Sequence, residues 1–260
     1  MNLDFIAKPM GMLVKLIYDI VSVVDSKYLS AYAISIILST IIFKLIVLPL
    51  TIKQTKSMKK MQELNPQIKD LQEKFGKDPQ TLQRKQMELY KEANYSPFAG
   101  CLPMLIQFPI LIAFFYVIRT PEVYVFGSEE AYNLINKSFL WISDLRFTEN
   151  FLFDTGIVNG ISMGGMTLPF LGSAIPILAG LSGITTYLTT KMTTAGQPAG
   201  NEQAMATQKS MNMMMPVMIF IMSIQFPAGL GLYWVISNVF QLIQQYVVMN
   251  SSKNPKEELK

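Results

Sequence analysis

The chain has 260 residues, half of them hydrophobic, and a formal net charge of +4. The hydrophobic residues form long continuous runs rather than alternating patterns, which leaves little for a soluble core and excludes a closed β-barrel. A single cysteine, Cys101, excludes an internal disulfide framework. We predict an all-α polytopic membrane protein with five transmembrane helices, in which the excess positive charge indicates topology rather than specific nucleic-acid binding.

Residues 1–28 form the first predicted element, an extracytoplasmic amphipathic helix. Apolar residues recur at helical spacing opposite Lys15, Asp19 and Ser22, a pattern typical of helices that lie on a membrane leaflet. No basic segment and cleavage site mark a signal peptide, although these residues would also suit the trimmed start of a mature chain. The predicted apolar face consists of Leu13, Leu16, Ile17, Ile20, Val21 and Val24.

Residues 29–52 are the first predicted transmembrane helix, and they contain Lys44. The apolar run 30–52 gives about 34 Å of helix, enough to cross a bilayer core of about 30 Å. A cation within such a span costs about 2.5–3.5 kcal/mol, so either it snorkels to the headgroups or it faces a hydrated cavity. Thr40 and Thr51 share its helix face, and no predicted span contains an acidic partner. These features favour a polar groove that opens to the cytoplasm.

Residues 53–97 are predicted to form a cytoplasmic helical hairpin. The segment carries ten Lys or Arg residues against six Asp or Glu residues, and apolar residues at helical spacing run up to Phe75. The turn 76–79 ends one helix, and a second helix is predicted over about 80–94. The hairpin could be an inert solvated coiled coil, or its basic surface could meet anionic lipid headgroups or RNA.

The remaining segments follow from hydropathy and the positive-inside rule. Three Lys or Arg residues against six Asp or Glu residues place 119–167 outside, so the N-terminus lies outside and the C-terminal tail lies in the cytoplasm. We predict transmembrane helices over 98–118, 168–190, 211–226 and 228–249, an extracytoplasmic loop over 119–167, a cytoplasmic loop over 191–210 and a cytoplasmic tail over 250–260.

The predicted fourth span, 211–226, is short and rich in methionine. Its length gives only about 24 Å of helix, which implies a thinned bilayer or shielding by neighbouring helices. Flexible thioether side chains suit a surface that accepts diverse apolar partners, but composition alone favours methionine as packing material between helices. The methionines are Met211, Met213, Met214, Met215, Met218 and Met222.

One short motif invites a catalytic interpretation. Gly180-Leu181-Ser182-Gly183 matches the G-x-S-G pattern of rhomboid-type intramembrane proteases, but that chemistry needs a histidine base and the chain contains none. A Ser182–Lys44 dyad would lack an oxyanion hole, and small residues at these positions suit close helix packing. The sequence also lacks a Gly-rich nucleotide loop and a zinc motif. We therefore expect no enzyme activity and no cofactor.

The order of several short motifs resembles one membrane protein family, the YidC membrane protein insertases. The motifs extend over residues 30–249 in the order that the family shows. They are Ile46-Val47-Leu48-Pro49-Leu50, Lys53-Gln54, Lys59-Lys60-Met61-Gln62, Asn65-Pro66, Asp78-Pro79, Leu89-Tyr90-Lys91, Gly100-Cys101-Leu102-Pro103, Leu105-Ile106-Gln107, Pro109, Trp141-Ile142-Ser143-Asp144-Leu145, Phe226-Pro227-Ala228-Gly229-Leu230, Leu232-Tyr233-Trp234 and Ser237-Asn238.

The resemblance implies five core helices around a hydrophilic groove that opens to the cytoplasm and to lipid. Its cation corresponds to Lys44, where the family usually has arginine, so the charge is retained but the bidentate guanidinium fork is lost. Gln107 and Trp234 match groove-lining positions, and Thr40 joins them on the face of Lys44. The substrate-contacting helices correspond to the second and fourth spans, which turns the methionine-rich helix into a predicted substrate slide. The slide residues are Met215, Met218 and Met222.

The family inserts and folds membrane proteins, alone or with the Sec translocon. The resemblance therefore implies nascent membrane proteins as clients, with the ribosome, the Sec translocon and membrane lipids as further partners. The compact chain resembles the form found in bacteria with a single membrane, which implies the bacterial plasma membrane as its location. A channel or small-solute transporter that uses Lys44 as an anion site is the competing class of function.

Overall fold

The computed structural model describes residues 4–95, 102–148, 176–194 and 202–251. Within these ranges the chain is helical, and the only extended pairing is two isolated β-bridges from Phe139 to Leu29 and to Ile142. The predicted all-α fold is therefore confirmed. The interpretation of Cys101, much of the loop 119–167, the start of the span 168–190 and the tail beyond Ser251 lie outside the described residues.

The first helix, α1 (Asp4–Val21), covers most of the predicted amphipathic segment. Ala7, Met10, Val14 and Ile17 are buried against the bundle. Leu16 and Ile20 of α1, and Val24 in the short 3-10 turn that follows it, are 59%, 67% and 67% exposed. The structure thus divides the predicted apolar face between residues buried in the bundle and exposed residues, and its location on a membrane leaflet stays a prediction.

Helix α2 (Ala31–Phe75) joins the first predicted span to the hairpin without a break. It has 45 residues, about 67 Å of helix, and it continues through Pro49 and Pro66. Its first turn is capped by Ser30, whose side chain accepts a hydrogen bond from the Ala33 N–H at 3.0 Å. The helix therefore does not end at the boundary predicted at residue 52.

Helix α3 (Pro79–Glu92) folds back on α2 after a turn at Gly76 and Lys77. Asp78 caps it: one carboxylate oxygen accepts from the Thr81 N–H at 3.2 Å and the other from the Thr81 hydroxyl at 2.6 Å. Leu82 of α3 is buried, as are Leu64 and Ile68 of α2. These apolar residues give the hairpin a small core of its own.

In the described ranges the remaining α-helices are α4 (Leu102–Arg119), the short α5 (Pro121–Tyr124) and α6 (Glu129–Asn133), then α7 (Ile177–Thr194), α8 (Glu202–Gln225) and α9 (Ala228–Ser251). The predicted 16-residue span 211–226 is thus the second part of a helix of 24 residues, about 36 Å long. Among the described residues, Ala31–Phe75 is long and apolar enough to cross a membrane, and Gln107–Arg119 and Asn212–Gln225 are shorter apolar segments.

Helix α9 is the centre of the bundle, packing against both α2 and α7. Polar groups join α7 to α9 at three levels: Ser182 donates to the Gly231 carbonyl at 3.3 Å, Asn238 to Thr186 at 2.9 Å, and Gln245 to Thr193 at 2.8 Å. The Ser182 hydroxyl also lies 2.9 Å from the Leu178 carbonyl. This serine is therefore engaged in helix packing, as the small-residue interpretation of the G-x-S-G motif predicts.

The loop 134–147 ties the first turns of α2 and α9 together. Ser30 N–H donates to the Ser138 carbonyl at 3.1 Å, and Ala228 N–H donates to the Phe147 carbonyl at 2.7 Å. Arg146 in the same loop pairs with Glu129 at 2.9 Å and lies 3.7 Å from Glu122. These contacts join α2, α9 and the loop at the predicted extracytoplasmic end of the bundle.

Candidate functional site

The candidate site lies where α2, α4 and α9 meet, and Lys44 is its charged residue. Lys44 is partly buried, and its Nζ donates to Gln107 Oε1 on α4 at 3.3 Å. The two residues are 63 positions apart in the sequence. The structure therefore brings together two of the four groove residues that the sequence predicted.

The second polar contact extends from α4 to α9. Gln107 Nε2 donates to the hydroxyl of Tyr233, which is only 2% exposed. The Tyr233 ring stacks on the fully buried ring of Phe114, with 4.3 Å between the centroids. Lys44, Gln107 and Tyr233 thus form a hydrogen-bonded row across three helices.

Thr40 and Trp234, the other predicted groove residues, have different surroundings. Thr40 is fully buried, and its hydroxyl donates to the Ile36 carbonyl of its own helix at 2.7 Å. Trp234 is partly buried and packs against the apolar core. On α9, the residue that bonds to Gln107 is therefore the neighbouring Tyr233, which the sequence analysis did not assign to the site. The sequence did contain a feature that could have identified Tyr233, because a tyrosine within an apolar helix needs a hydrogen-bond partner for its hydroxyl.

Polar side chains continue from Lys44 toward the predicted cytoplasmic end. Thr51, two turns further along α2, shares a hydrogen bond of 3.1 Å with Gln244 on α9. Thr55 follows one turn later and is 4% exposed. The contact between α2 and α9 is therefore lined by polar groups on the side of Lys44 that leads to the hairpin.

Lys44 has no compensating negative charge in the part of the chain that the structure describes. Every ion pair found there lies on α1, in the hairpin or in the predicted extracytoplasmic segment 119–148, and none includes Lys44. Gln107 provides a neutral acceptor for one of the three donors of the ammonium group. The site can thus offer a positive charge and free N–H donors to an incoming polar group.

The predicted substrate slide is located on α8, which packs principally against α7. Met213, Met214 and Met218 are 67%, 63% and 46% exposed, whereas Met215 and Met222 are partly buried. The most exposed methionines therefore differ in part from the predicted trio.

Helix α4, the other helix that the resemblance associates with substrate contact, packs principally against α1. Its Phe108 is 56% exposed. The ring of Phe115 lies 5.5 Å from that of Phe226, at the residue that follows α8. The two helices that the resemblance associates with substrate contact are therefore linked by an aromatic pair at the end of the bundle where α9 begins.

A helical bundle with a long apolar helix that contains a lysine without an ion pair among the described residues is typical of polytopic membrane proteins with a functional polar site. Residues 24–256 match the family model described as 60Kd inner membrane protein. The chain belongs to this family of YidC membrane protein insertases, as the resemblance predicts.

Similar proteins place the chain within the family. It is 40% identical over 231 residues to the membrane protein insertase YidC of Clostridium perfringens, covering 88% of this chain and 84% of that protein. It is 37% identical over 221 residues to the insertase of Pelodictyon phaeoclathratiforme, covering 85% of this chain but only 33% of that relative. A solved structure described as active YidC insertase with the first transmembrane domain resolved matches with a TM-score of 0.57 and 27% identity, covering 94% of this chain and 46% of that one.

Proposed function

We propose that this chain inserts and folds integral membrane proteins in a bacterial plasma membrane, alone or beside the Sec translocon. The observation that carries the proposal is the Lys44 ammonium, held inside the bundle by Gln107 with no ion pair in the described ranges. A positive charge with free donors lowers the cost of placing a polar or acidic segment in an apolar medium, where an unpaired polar group costs several kcal/mol. The step requires no bond to be made or broken.

In this mechanism the polar outer segment of a nascent client enters a groove where it meets Lys44 and Gln107, which Thr40 and Trp234 support from α2 and α9. The client's apolar span then moves into lipid along α4 and α8, where the slide formed by Met215, Met218 and Met222 contacts it. Burial of about 20 apolar residues in the bilayer supplies the driving force. Family membership and the exposed Phe108 and Met218 support this route.

The partners follow from the orientation that the charges predict. With the N-terminus outside and the C-terminus in the cytoplasm, the hairpin formed by the end of α2 and by α3 meets ribosomes or nascent chains. Its basic side chains also suit anionic lipid headgroups. The bundle end tied by loop 134–147 then faces the exterior, so that a client enters from the cytoplasm.

The experiment is reconstitution of the purified chain into liposomes with a small single-span client. Insertion is measured by protease protection, and conductance or solute flux is measured in the same vesicles. The insertase proposal predicts protected client well above protein-free vesicles without steady flux. Flux without insertion would favour the channel or transporter class and refute the proposal.

A further inference from the structure

We infer that Tyr233 is a positioning residue of the groove: its buried hydroxyl fixes the Gln107 amide, and Gln107 in turn holds the Lys44 ammonium inside the bundle. The inference rests on the insertase function proposed above. It adds a residue that does not itself need to touch the client. The three side chains come from three different helices, so their contact depends on how α2, α4 and α9 pack.

The position of the Tyr233 hydroxyl is set by the core. Its ring is 2% exposed and stacks at 26° on Phe114, which is fully buried. Phe114 and Gln107 lie on the same helix, two turns apart, so Tyr233 contacts α4 both through its ring and through its hydroxyl. Ser237, one turn further along α9, is also buried. The oxygen that accepts from Gln107 is thus a fixed point in the bundle.

Gln107 needs such a fixed point because its amide has one accepting and one donating end. Lys44 can only donate, so it binds the Oε1 end, 3.3 Å away. The Nε2 end is bound to Tyr233. Without the Tyr233 hydroxyl, the partly buried Gln107 side chain is free to rotate, and Oε1 no longer has a defined place.

The tether also opposes snorkelling of Lys44. The lysine lies eight residues before the end of the predicted span, about 12 Å along the helix, and a flexible lysine stem extends toward water when nothing holds it. Gln107 keeps the ammonium at the level of Tyr233. A client whose outer segment carries a carboxylate depends on that position, whereas a client with a neutral outer segment depends on it much less.

The test compares Tyr233→Phe with Tyr32→Phe in the reconstituted full chain. Tyr32 is the matched control because it is fully buried and its hydroxyl has no hydrogen-bond partner in the described part of the chain. Two clients differ only in an Asp or an Asn in the outer segment. We expect Tyr233→Phe to slow insertion of the Asp client about fivefold to tenfold, the effect of one neutral hydrogen bond, and to leave the Asn client nearly unchanged. Tyr32→Phe should affect neither client.

A second experiment measures how accessible the Lys44 amine is to a labelling reagent. An amine-reactive reagent is added at fixed pH, and the labelled lysines are identified by peptide mass spectrometry. Tyr233→Phe should raise labelling of Lys44 severalfold, while lysines of the hairpin serve as internal references. A change in packing that left the Lys44 tether intact would not produce this selective increase.

Gln107→Leu removes both hydrogen bonds that link Lys44 to Tyr233. This variant tests the inference independently if Tyr233→Phe proves poorly folded. It should cause the same selective loss on the Asp client, and the double variant should be no worse than either single variant, since the two residues act as one unit. Equal losses on both clients, or losses that add in the double variant, would overturn the inference. Failure of the wild-type chain to insert either client would instead refute the insertase function.

Discussion

Gly229 N–H donates to the Leu145 carbonyl at 2.8 Å, so the first turn of α9 lies directly against the loop 134–147. A Cβ at Gly229 would come within 2.8 Å of Ile118 Cγ2 and 3.2 Å of the Leu145 oxygen. The absence of a side chain at this position therefore allows α4, α9 and the loop to meet. The contact lies at the end of the bundle opposite the hairpin.

Gly229→Ala should lower the melting temperature, because the added methyl group must displace Ile118 or the loop, at a cost of about 1–3 kcal/mol. Gly180→Ala is the matched control, since a Cβ there meets nothing within 4 Å, and alanine is favoured over glycine in a helix by about 0.5–1 kcal/mol. Thermal unfolding in detergent measures both. Equal behaviour of the two variants would contradict the close approach.

Arg146→Gln should also destabilise the chain. Arg146 bonds to Glu129, lies near Glu122, and its guanidinium carbon is 5.3 Å from the centre of the Tyr132 ring. The hydrogen bond that Arg146 donates to Glu129 raises the pKa of Arg146 above its usual value. Removing the cation leaves Glu122 in a poorly solvated position, which should cost about 1–3 kcal/mol.

The control for Arg146→Gln is Arg84→Gln in the hairpin. Arg84 is 4.0 Å from Glu88, and both side chains are exposed, so its loss should cost less than about 1 kcal/mol. Urea or thermal unfolding measures the two variants side by side. An Arg84 effect as large as that of Arg146 would show that the loop network adds no particular stability.

The hairpin should lose its helix cap at acid pH. Hydrogen bonds from the Thr81 hydroxyl and then from the Thr81 N–H lower the pKa of Asp78 below its usual value of 3.8. A carboxyl group whose pKa is lowered by folding stabilises the fold above the unfolded pKa. That contribution is lost as the pH falls through the folded value, so the change occurs below about pH 4.

Hydrogen exchange of α3, corrected for the intrinsic rate, should therefore speed up relative to α9 between pH 6 and pH 3. Asp78→Asn is the control, because asparagine also caps helices but does not titrate. The variant should keep its cap at both pH values. An identical acid response in the variant would mean that another group controls the hairpin.

Photocrosslinkers on α8 should distinguish a substrate slide from methionine packing. A crosslinker at Met218, which is 46% exposed, should trap the apolar span of clients with unrelated sequences. The control position is Ile219, the next residue, which is only 6% exposed. Met215 and Met222 should crosslink less than Met218 because they are partly buried.

Equal crosslinking yields at Met218 and Ile219 would indicate nonspecific capture of the client. If no position on α8 gave a crosslink to a client, the substrate slide would be refuted.

Hydropathy and charge were sufficient to predict the all-α fold, because an apolar run of membrane length has few alternatives to a helix. They did not predict the extent of α8. Residues 202–210 are polar and carry no membrane signal, yet alanine, methionine, glutamine and lysine among them favour a helix, so α8 begins at Glu202. Nor did they predict which apolar residues of α1 pack against the bundle, since periodicity locates an apolar face but not what each of its residues contacts.

The site was partly predictable. Lys44 stands out because a cation within an apolar span is costly, and Gln107 stands out as a polar residue in another span. Their contact over 63 positions depends on tertiary packing, which spacing along one chain does not contain. Tyr233 was missed because the adjacent Trp234 matched the family pattern, and the helix rotation that directs the tyrosine toward Gln107 is visible only in the assembled bundle.

The most direct test of the central claim is a charge exchange between Lys44 and the client. Insertion is measured for wild type, Lys44→Arg, Lys44→Ala and Lys44→Glu, each with clients carrying Asp, Asn or Lys in the outer segment. Lys44→Arg should retain activity, and Lys44→Ala should slow the Asp client by about tenfold or more, the loss of a charge-assisted contact. Lys44→Glu should block the Asp client but insert the Lys client better than wild type does. Normal insertion of the Asp client by Lys44→Ala would contradict the groove-charge mechanism.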